Sequence, residues 1–225
     1  MKAIAHISTL LPEKFGVPRQ AGLVPELVGK IIFEREFCGE DFFRGLEGFS
    51  HIWLLWEFSE TKDKGYSPTV RPPMLGGNKK IGVFATRSPF RPNPIGLSAV
   101  RLLEIERGGD GISLIVAGAD LVNGTPILDI KPYLPYADNI PDAVGGFTEN
   151  LESRRLFVVL PDDVGDYFDE ETTGALRGAL SLDPRPRYQD DGRTYGMCFA
   201  GCRVRFFVSG DTLTVTDIEC LTNLI

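Results

Sequence analysis

Histidine is scarce in this chain: His6 and His51 are the only two among 225 residues. The four cysteines, Cys38, Cys198, Cys202 and Cys220, follow no zinc-ligand spacing, and both histidines lie far from Cys198 and Cys202. That combination offers no metal-ligand set, so the thiols read as reduced core or near-core groups and no metal is expected. Long apolar runs are missing too. No stretch approaches the roughly 20 apolar residues of a spanning helix, and Met1-Lys-Ala-Ile-Ala-His-Ile-Ser8 has no continuous apolar segment of the kind that opens a secretion signal. A cytoplasmic protein away from the membrane is expected. Positive charge is the third shortage: 24 Lys and Arg face 31 Asp and Glu, a net charge of −7. Sequence-independent affinity for nucleic acid comes from counterions displaced by Lys and Arg, so indiscriminate binding is excluded and any RNA contact must be local. A Gly-x-Gly-x-x-Gly after the first strand is also absent, and the first half does not alternate strand with helix, which argues against a Rossmann-type domain.

What the chain does have is an ordinary globular composition, 43% hydrophobic and 24% charged. Up to about residue 136 the periodicity is that of strands: Ile4 to Ile7, Ile52 to Phe58, Ile81 to Thr86, Leu97 to Ile105 and Ile112 to Ala117, punctuated by Gly and Pro. Many short strands at close spacing predict a barrel or closed sheet. The run from Ile52 to Phe58 is apolar on both faces and reads as a fully buried central strand, with His51 at its head as a hydrogen-bonded core histidine. Pro135 to Gly146 reads as a hinge. Beyond it, Arg155 to Leu160 predicts a strand, Asp166 to Leu182 a helix that Pro184 stops, and Cys202 to Val208 with Thr212 to Ile218 a hairpin turned by Ser209-Gly210-Asp211. The expectation is a mainly β protein, with a β-barrel-like N-terminal domain over residues 1–140 and a smaller α+β C-terminal domain over 141–225.

Ile81 to Gly96 is the most distinctive stretch. Proline at positions 89, 92 and 94 fixes φ three times and presses the residue before each into extended backbone, which excludes helix. The result is a stiff loop displaying Arg87, Ser88, Arg91 and Asn93. Such a loop loses little entropy on binding, and its guanidinium forks suit carboxylates or phosphates. Arg71, Lys79, Lys80, Arg87 and Arg91 fall within 21 residues, and Arg185, Arg187 and Arg193 form a second basic group. The two groups suit phosphates on either side of a splayed loop base, with Phe90, Tyr133 and Tyr136 available to stack. Asp190 and Asp191 are equally placed to pair with the second group and leave a solvated face.

Phe15-Gly-Val-Pro-Arg-Gln-Ala-Gly-Leu23, Arg44-Gly-Leu-Glu-Gly-Phe-Ser-His-Ile-Trp53, Arg71-Pro-Pro-Met-Leu-Gly-Gly-Asn78, the Ile81 to Gly96 loop and Asp120-Leu-Val-Asn-Gly-Thr-Pro-Ile-Leu-Asp-Ile-Lys-Pro-Tyr133 resemble, in the same order, blocks of the TsaA-like (TrmO) family of tRNA methyltransferases. Asp183-Pro-Arg-Pro-Arg-Tyr188 and Gly192-Arg-Thr-Tyr195 are similar to late blocks of its longer bacterial-type members. The resemblance covers nearly all of the chain. It implies an all-β domain that binds S-adenosyl-L-methionine and works as a homodimer. The activity it implies is methyl transfer to N6 of threonylcarbamoyladenosine at position 37, in the tRNA anticodon loop.

By the same resemblance, Pro18, Arg19 and Gln20 form one wall of the donor site, with Arg19 suited to a carboxylate or phosphate. Ser59, Glu60, Arg87, Leu97 and the turn of Asp120, Leu121, Val122, Asn123, Gly124 and Thr125 supply the rest. Two departures stand out: Ser59-Glu60 where close relatives have His-Gln, and Asn123-Gly124 where they have Asp-Gly. Arg71, Lys79, Lys80, Arg91, Arg185, Arg187 and Arg193 remain for RNA. Methyl transfer needs mainly alignment of donor and nucleophile. A urea-like N6 must also lose its proton before it attacks, which calls for a general base. Asp120 and Asp129 are both candidates, and the sequence does not choose between them. A non-catalytic sensor that holds S-adenosylmethionine or a nucleotide is the alternative.

Overall fold

The computed structural model describes residues 1–109, 111–149, 155–185 and 192–220. The N-terminal half contains β1 (Ala5–Ser8), β2 (Val28–Phe33), β3 (His51–Glu57), the two-residue β4 (Thr69–Val70) and β5 (Ile81–Gly82), β6 (Ile95–Gly108), β7 (Gly111–Ala117) and β8 (Pro126–Pro132). All but β4 and β5 form a closed antiparallel barrel in the order β1-β2-β7-β6-β3-β8. Period-two alternation drives closure. Ala5, Ile7, Ile31, Ile52, Leu54, Val100 and Leu114 point inward and are at most 1% exposed, each large one contributing about 1.5–3 kcal/mol by burial. Strand β6 is long enough to serve two neighbours: Ile95–Arg101 pairs with β3 and Arg101–Gly108 with β7, and a register shift between Leu102 and Glu104 bends it around the wall.

Antiparallel pairing places the ends of β1, β3 and β7 and the starts of β2, β6 and β8 on one rim. Three connections leave that rim, residues 9–27, 58–94 and 118–125. The long middle one folds back on itself through the β4–β5 ladder.

After the short α1 (Pro135–Asp138) come β9 (Phe157–Val159), α2 (Glu170–Ser181), β10 (Tyr195–Phe199), β11 (Cys202–Ser209) and β12 (Thr212–Cys220). The second sheet has the order β10-β11-β12-β9, antiparallel except for the β12–β9 pair. Asp169 caps α2 by accepting the Thr172 N–H at 2.8 Å. Ala175, Leu176, Ala179 and Leu180 then form its buried stripe, and Ala175, Leu176 and Leu180 share one core with Phe199, Val204 and Phe206 of the sheet. Leu11, Val24 and Leu27 from the 9–27 connection join this second core. Leu10 O accepts the Ala200 N–H at 2.8 Å, the Glu13 carboxylate accepts the Cys198 N–H at 2.7 Å, and Arg155 donates to Leu23 O at 2.7 Å. The first connection of the barrel is therefore anchored in the C-terminal domain. No helix among the described residues is long and apolar enough to cross a membrane.

Several expectations change. Strand β3 is fully buried on one face only, because a barrel has a single inside: Ile52, Leu54 and Trp56 point in, while His51, Trp53, Leu55 and Glu57 alternate outward. His51 is exposed, and its Nδ1 lies 2.9 Å from Ser50 Oγ. The Ile81 to Thr86 run is strand for two residues and then a 3-10 turn, Val83–Ala85, closed by the Thr86 N–H and hydroxyl on Val83 O. The helix starts at Glu170, since Asp169 caps there and Asp162–Asp166 is a separate 3-10 turn. Cys202 and Cys220 are not reduced thiols but a disulfide across directly paired positions of β11 and β12; Cys38 and Cys198 are free. Pro135 to Gly146 is exposed throughout and holds α1.

Candidate active site

The rim connections meet at Asp120. Gly118, just after β7, adopts φ +78°, and an added Cβ there would lie 3.1 Å from Gly22 Cα. Its N–H donates to Leu27 O at 2.8 Å and its carbonyl accepts the Gly22 N–H at 2.8 Å. Glycine is required at this contact both for the left-handed backbone and for the close approach. The contact brings Ala21, whose backbone donates to the Asp120 carboxylate.

Two buried side chains hold Asp120 from the barrel. Ser98 Oγ donates to Asp120 Oδ1 at 2.6 Å, and Trp56 Nε1 donates to Ser98 Oγ at 3.0 Å. Ser98 is 2% exposed and Trp56 8%. Burial pushes the Asp120 carboxyl above the usual carboxylate range, while the hydrogen bonds from Ser98 and from the backbone and the nearby Arg87 charge oppose it. Desolvation outweighs them, which leaves a carboxyl of raised proton affinity beside a cation.

Arg87 reaches the same place from the stiff loop. Its guanidinium donates to Gln20 Oε1, and Gln20 Nε2 donates to Arg19 O. The two blocks are 67 positions apart in sequence. Pro18 is buried, Gln20 half-buried and Arg19 exposed. The turn after Asp120 is pinned to β1 and the chain just beyond it: Asn123 Oδ1 accepts the Thr9 N–H at 3.0 Å, and the Asn123 and Gly124 N–H groups donate to Leu11 O and Ile7 O, each at 2.8 Å. Thr125 Oγ1 donates to Val122 O at 2.6 Å, and Leu121 is fully buried. Ser59, half-buried, and Glu60, exposed, leave the same rim after Phe58, whose N–H donates to Pro94 O at 2.8 Å.

Other candidates stand apart. Leu97 and Asp129 flank Leu55 in one row on the outer wall of the barrel. Leu97 is 48% exposed, and the Asp129 carboxylate pairs with Lys131 at 2.8 Å. Arg71, Lys79 and Lys80 are exposed, and Arg91 donates to Thr86 O at 3.3 Å, which braces its own loop. In the second basic group Arg193 is exposed, whereas Arg185 is buried and holds the Asp183 carboxylate with two 2.9 Å hydrogen bonds. Arg187, Asp190 and Asp191 lie outside the described residues. Phe90 and Tyr136 are exposed; Tyr133 is half-buried beside Trp53. Among the described residues no group of His, Cys, Asp and Glu is arranged to hold a metal.

Ser98, Trp56 and Gly96 were not among the expected site residues. Their signal is a lone hydroxyl at an inward position of the otherwise apolar stretch Ile95 to Val100, because a buried hydroxyl needs a partner.

Comparison with known proteins identifies the family. Residues 6–139 match the tRNA-methyltransferase O N-terminal domain and residues 170–221 the TrmO C-terminal domain. The chain is 41% identical to the tRNA (adenine(37)-N6)-methyltransferase of Escherichia coli, with 96% of each chain covered. It is 42% identical to a Pyrococcus abyssi protein named "Probable S-adenosyl-L-methionine-binding protein", over 61% of this chain and 69% of that one. A crystal structure of TrmO from Pseudomonas aeruginosa superposes with a TM-score of 0.79 at 32% identity, covering 97% of this chain and 95% of that one. The chain belongs to the tRNA-methyltransferase O family.

Proposed function

We propose that this protein is a cytoplasmic enzyme that transfers a methyl group from S-adenosyl-L-methionine to N6 of threonylcarbamoyladenosine at position 37 of tRNA. The observation that carries the reading is the meeting, at one barrel rim, of an exposed arginine steadied by Gln20 and a half-buried Asp120 carboxyl of raised proton affinity. Family membership supports the RNA substrate, and the names of relatives support both the position and the donor.

The residues present fit the donor. Arg87, braced by Gln20 and backed by Arg19, offers a fork for its carboxylate. The 120–125 turn, tied to β1 by its own backbone, offers fixed polar groups for its ribose and base. When bound, S-adenosylmethionine supplies an electrophilic methyl group.

Asp120 is assigned the proton. A urea-like N6 has a delocalised lone pair, so attack requires its N–H to be taken up by a nearby base, and a raised carboxyl is better matched to that task near neutrality than an ordinary one. Trp56 and Ser98 fix the orientation of this carboxylate from inside the barrel. Asp129, half-exposed on the outer wall and paired with Lys131, is not held in this way. The reading includes a homodimer, as the family resemblance implies.

Labelled methyl transfer into tRNA from cells lacking the protein, followed by nucleoside mass analysis, tests the reading. One methyl gained on threonylcarbamoyladenosine is the expected result. Donor binding without any labelled RNA would replace the enzyme with a binding protein.

A further inference from the structure

The negative charge of the chain is unevenly spread. Residues 58–94, between β3 and β6, hold seven Lys and Arg against two acids, Glu60 and Asp63, in a chain of net charge −7. Lys62 is paired with Glu57 at 3.2 Å, whereas Lys64, Arg71, Lys79 and Lys80 are all exposed. This one excursion is therefore a cationic lobe on an acidic protein, and it carries Arg87 to the rim.

The same lobe displays aromatic rings that the fold does not bury. Phe84 is 81% exposed and Tyr66 68%. Both border an open cleft of about 420 Å³ lined by Val83, Pro68 and Pro92. Its walls are held in place: Thr69 pairs with Gly82 and Val70 with Ile81, the Val83 N–H donates to Pro68 O at 3.0 Å, and the Ser67 N–H donates to Phe90 O at 3.2 Å. A preformed apolar slot with two exposed rings, surrounded by cations, is a poor match for an apolar protein segment, which would have no use for the charge. Paired RNA is an equally poor match, because its base faces are already stacked. An unpaired nucleotide offers both a π-face and a phosphate.

We infer that this cleft holds an unpaired base of the RNA substrate, stacked on Phe84 and Tyr66, while the exposed lysines and Arg71 hold the flanking phosphates. The inference rests on the reading of RNA as the substrate. The base in question is a neighbour of the methylated one, because the methylated base must reach Asp120 at the rim. The cleft thus makes Phe84 and Tyr66 determinants of which loop sequences the enzyme accepts.

The test uses a synthetic anticodon stem-loop RNA carrying threonylcarbamoyladenosine at position 37 and 2-aminopurine at each other unpaired position in turn, titrated with the full chain and with Phe84→Ala, Tyr66→Ala and Phe84→Trp. One position should be quenched by the native protein. Both alanine variants should lose that quench and bind between roughly fivefold and a hundredfold more weakly, the range for removing one stacking partner, and Phe84→Trp should restore binding. Affinity for S-adenosylmethionine, read by calorimetry, should be unchanged in all three. Tight RNA binding that neither alanine variant weakens would overturn the stacking site and leave the methyltransferase reading intact. Loss of donor affinity in the alanine variants would reassign the cleft to the donor. No RNA binding by the native chain would overturn both readings together.

Discussion

Gly96 lies flat against the indole of Trp56. The two are direct partners across the β3–β6 ladder, and a Cβ on Gly96 would fall 2.2 Å from Trp56 Cε2. No side chain at position 96 coexists with this ring position. Because Trp56 Nε1 donates to Ser98 and Ser98 donates to Asp120, the absence of one methyl group sets the carboxylate at the rim.

Gly96→Ala should therefore damage fold and site together. Overpacking a filled core costs about 1–3 kcal/mol, and a displaced indole N–H left without its acceptor adds about 1–3 kcal/mol more. Since one displacement causes both effects, a loss of about 2–4 kcal/mol in denaturant unfolding is expected, with methyl transfer falling in the protein that remains folded. Trp56→Phe keeps an aromatic ring but removes the N–H together with the five-membered half of the indole, so it should cost about 2–4 kcal/mol through the lost hydrogen bond and the cavity left behind and lower the rate. Equal activity of Trp56→Phe and the native protein would show that the hydrogen bond does not orient Asp120.

Asp120 gives the system a pH signature with a defined sign. Its carboxyl is raised in the fold, first by burial, so the native state binds its proton more tightly than the unfolded chain does. Stability tied to this group is thus greatest below the unfolded carboxylate value of about 3.9 and falls as pH climbs from there through the raised native value. Asp120→Asn should abolish that part of the pH dependence and make the protein more stable at neutral pH. Activity runs the other way: a base must be deprotonated, so the rate should rise along an acid limb set by the raised value. Ser98→Ala removes a bond that favours the charged form and should move that limb upward. A pH–rate profile unchanged by Ser98→Ala would dissociate Asp120 from proton transfer.

The Arg87–Gln20 contact predicts a split between size and charge. Arg87→Ala should weaken S-adenosylmethionine by roughly tenfold to a hundredfold, the range for a hydrogen bond to a charged group. Arg87→Lys should recover little of it, because an ammonium cannot hold both the Gln20 carbonyl and a carboxylate as a planar fork does. Gln20→Ala frees the guanidinium and should show a smaller loss. Calorimetric titration of the three variants separates these outcomes, and unchanged donor affinity in Arg87→Ala would remove the arginine from the donor site.

Much of this was legible from the chain and part was not, for physical reasons. The short apolar runs Ile52 to Phe58 and Ile112 to Ala117 mark strands whatever the partners, and clustered short strands lead to a closed sheet, although which face of Ile52 to Phe58 turns inward is set only by the barrel. Strands β2 and β8 carry a lysine or aspartate at outward positions of Val28–Phe33 and Pro126–Pro132 and give weaker patterns, so they emerge only once barrel neighbours exist. The Arg87 loop declares itself through its prolines. By contrast, Asp120 and Asp129 look alike in sequence, and inside and outside are separated by register: Asp129 faces Leu55 on the outer wall, whereas Asp120 meets Ser98. The Cys202–Cys220 pairing likewise depends on β11–β12 register, which cysteine spacing does not encode.

Gly178 on α2 tests how far the C-terminal domain supports the donor wall. A Cβ there would lie 2.5 Å from Val24 Cγ1 and 3.3 Å from a Glu26 oxygen. Val24 is buried in the C-terminal core, and Pro18, Gln20 and Ala21 lie just before it on the same connection. Gly178→Ala gains about 0.8–1.0 kcal/mol of helix propensity but meets an overpacking cost of about 1–3 kcal/mol. The overpacking term wins, and a net destabilisation near 1 kcal/mol is expected. The displaced Val24 pulls on the segment that places Gln20 against Arg87, so affinity for S-adenosylmethionine should fall severalfold although position 178 lies outside the rim connections. Val24→Ala combined with Gly178→Ala makes room for the new methyl group and should recover most of the donor affinity. If the single variant is destabilised yet binds the donor as the native protein does, the second core supports the fold without steering the donor wall.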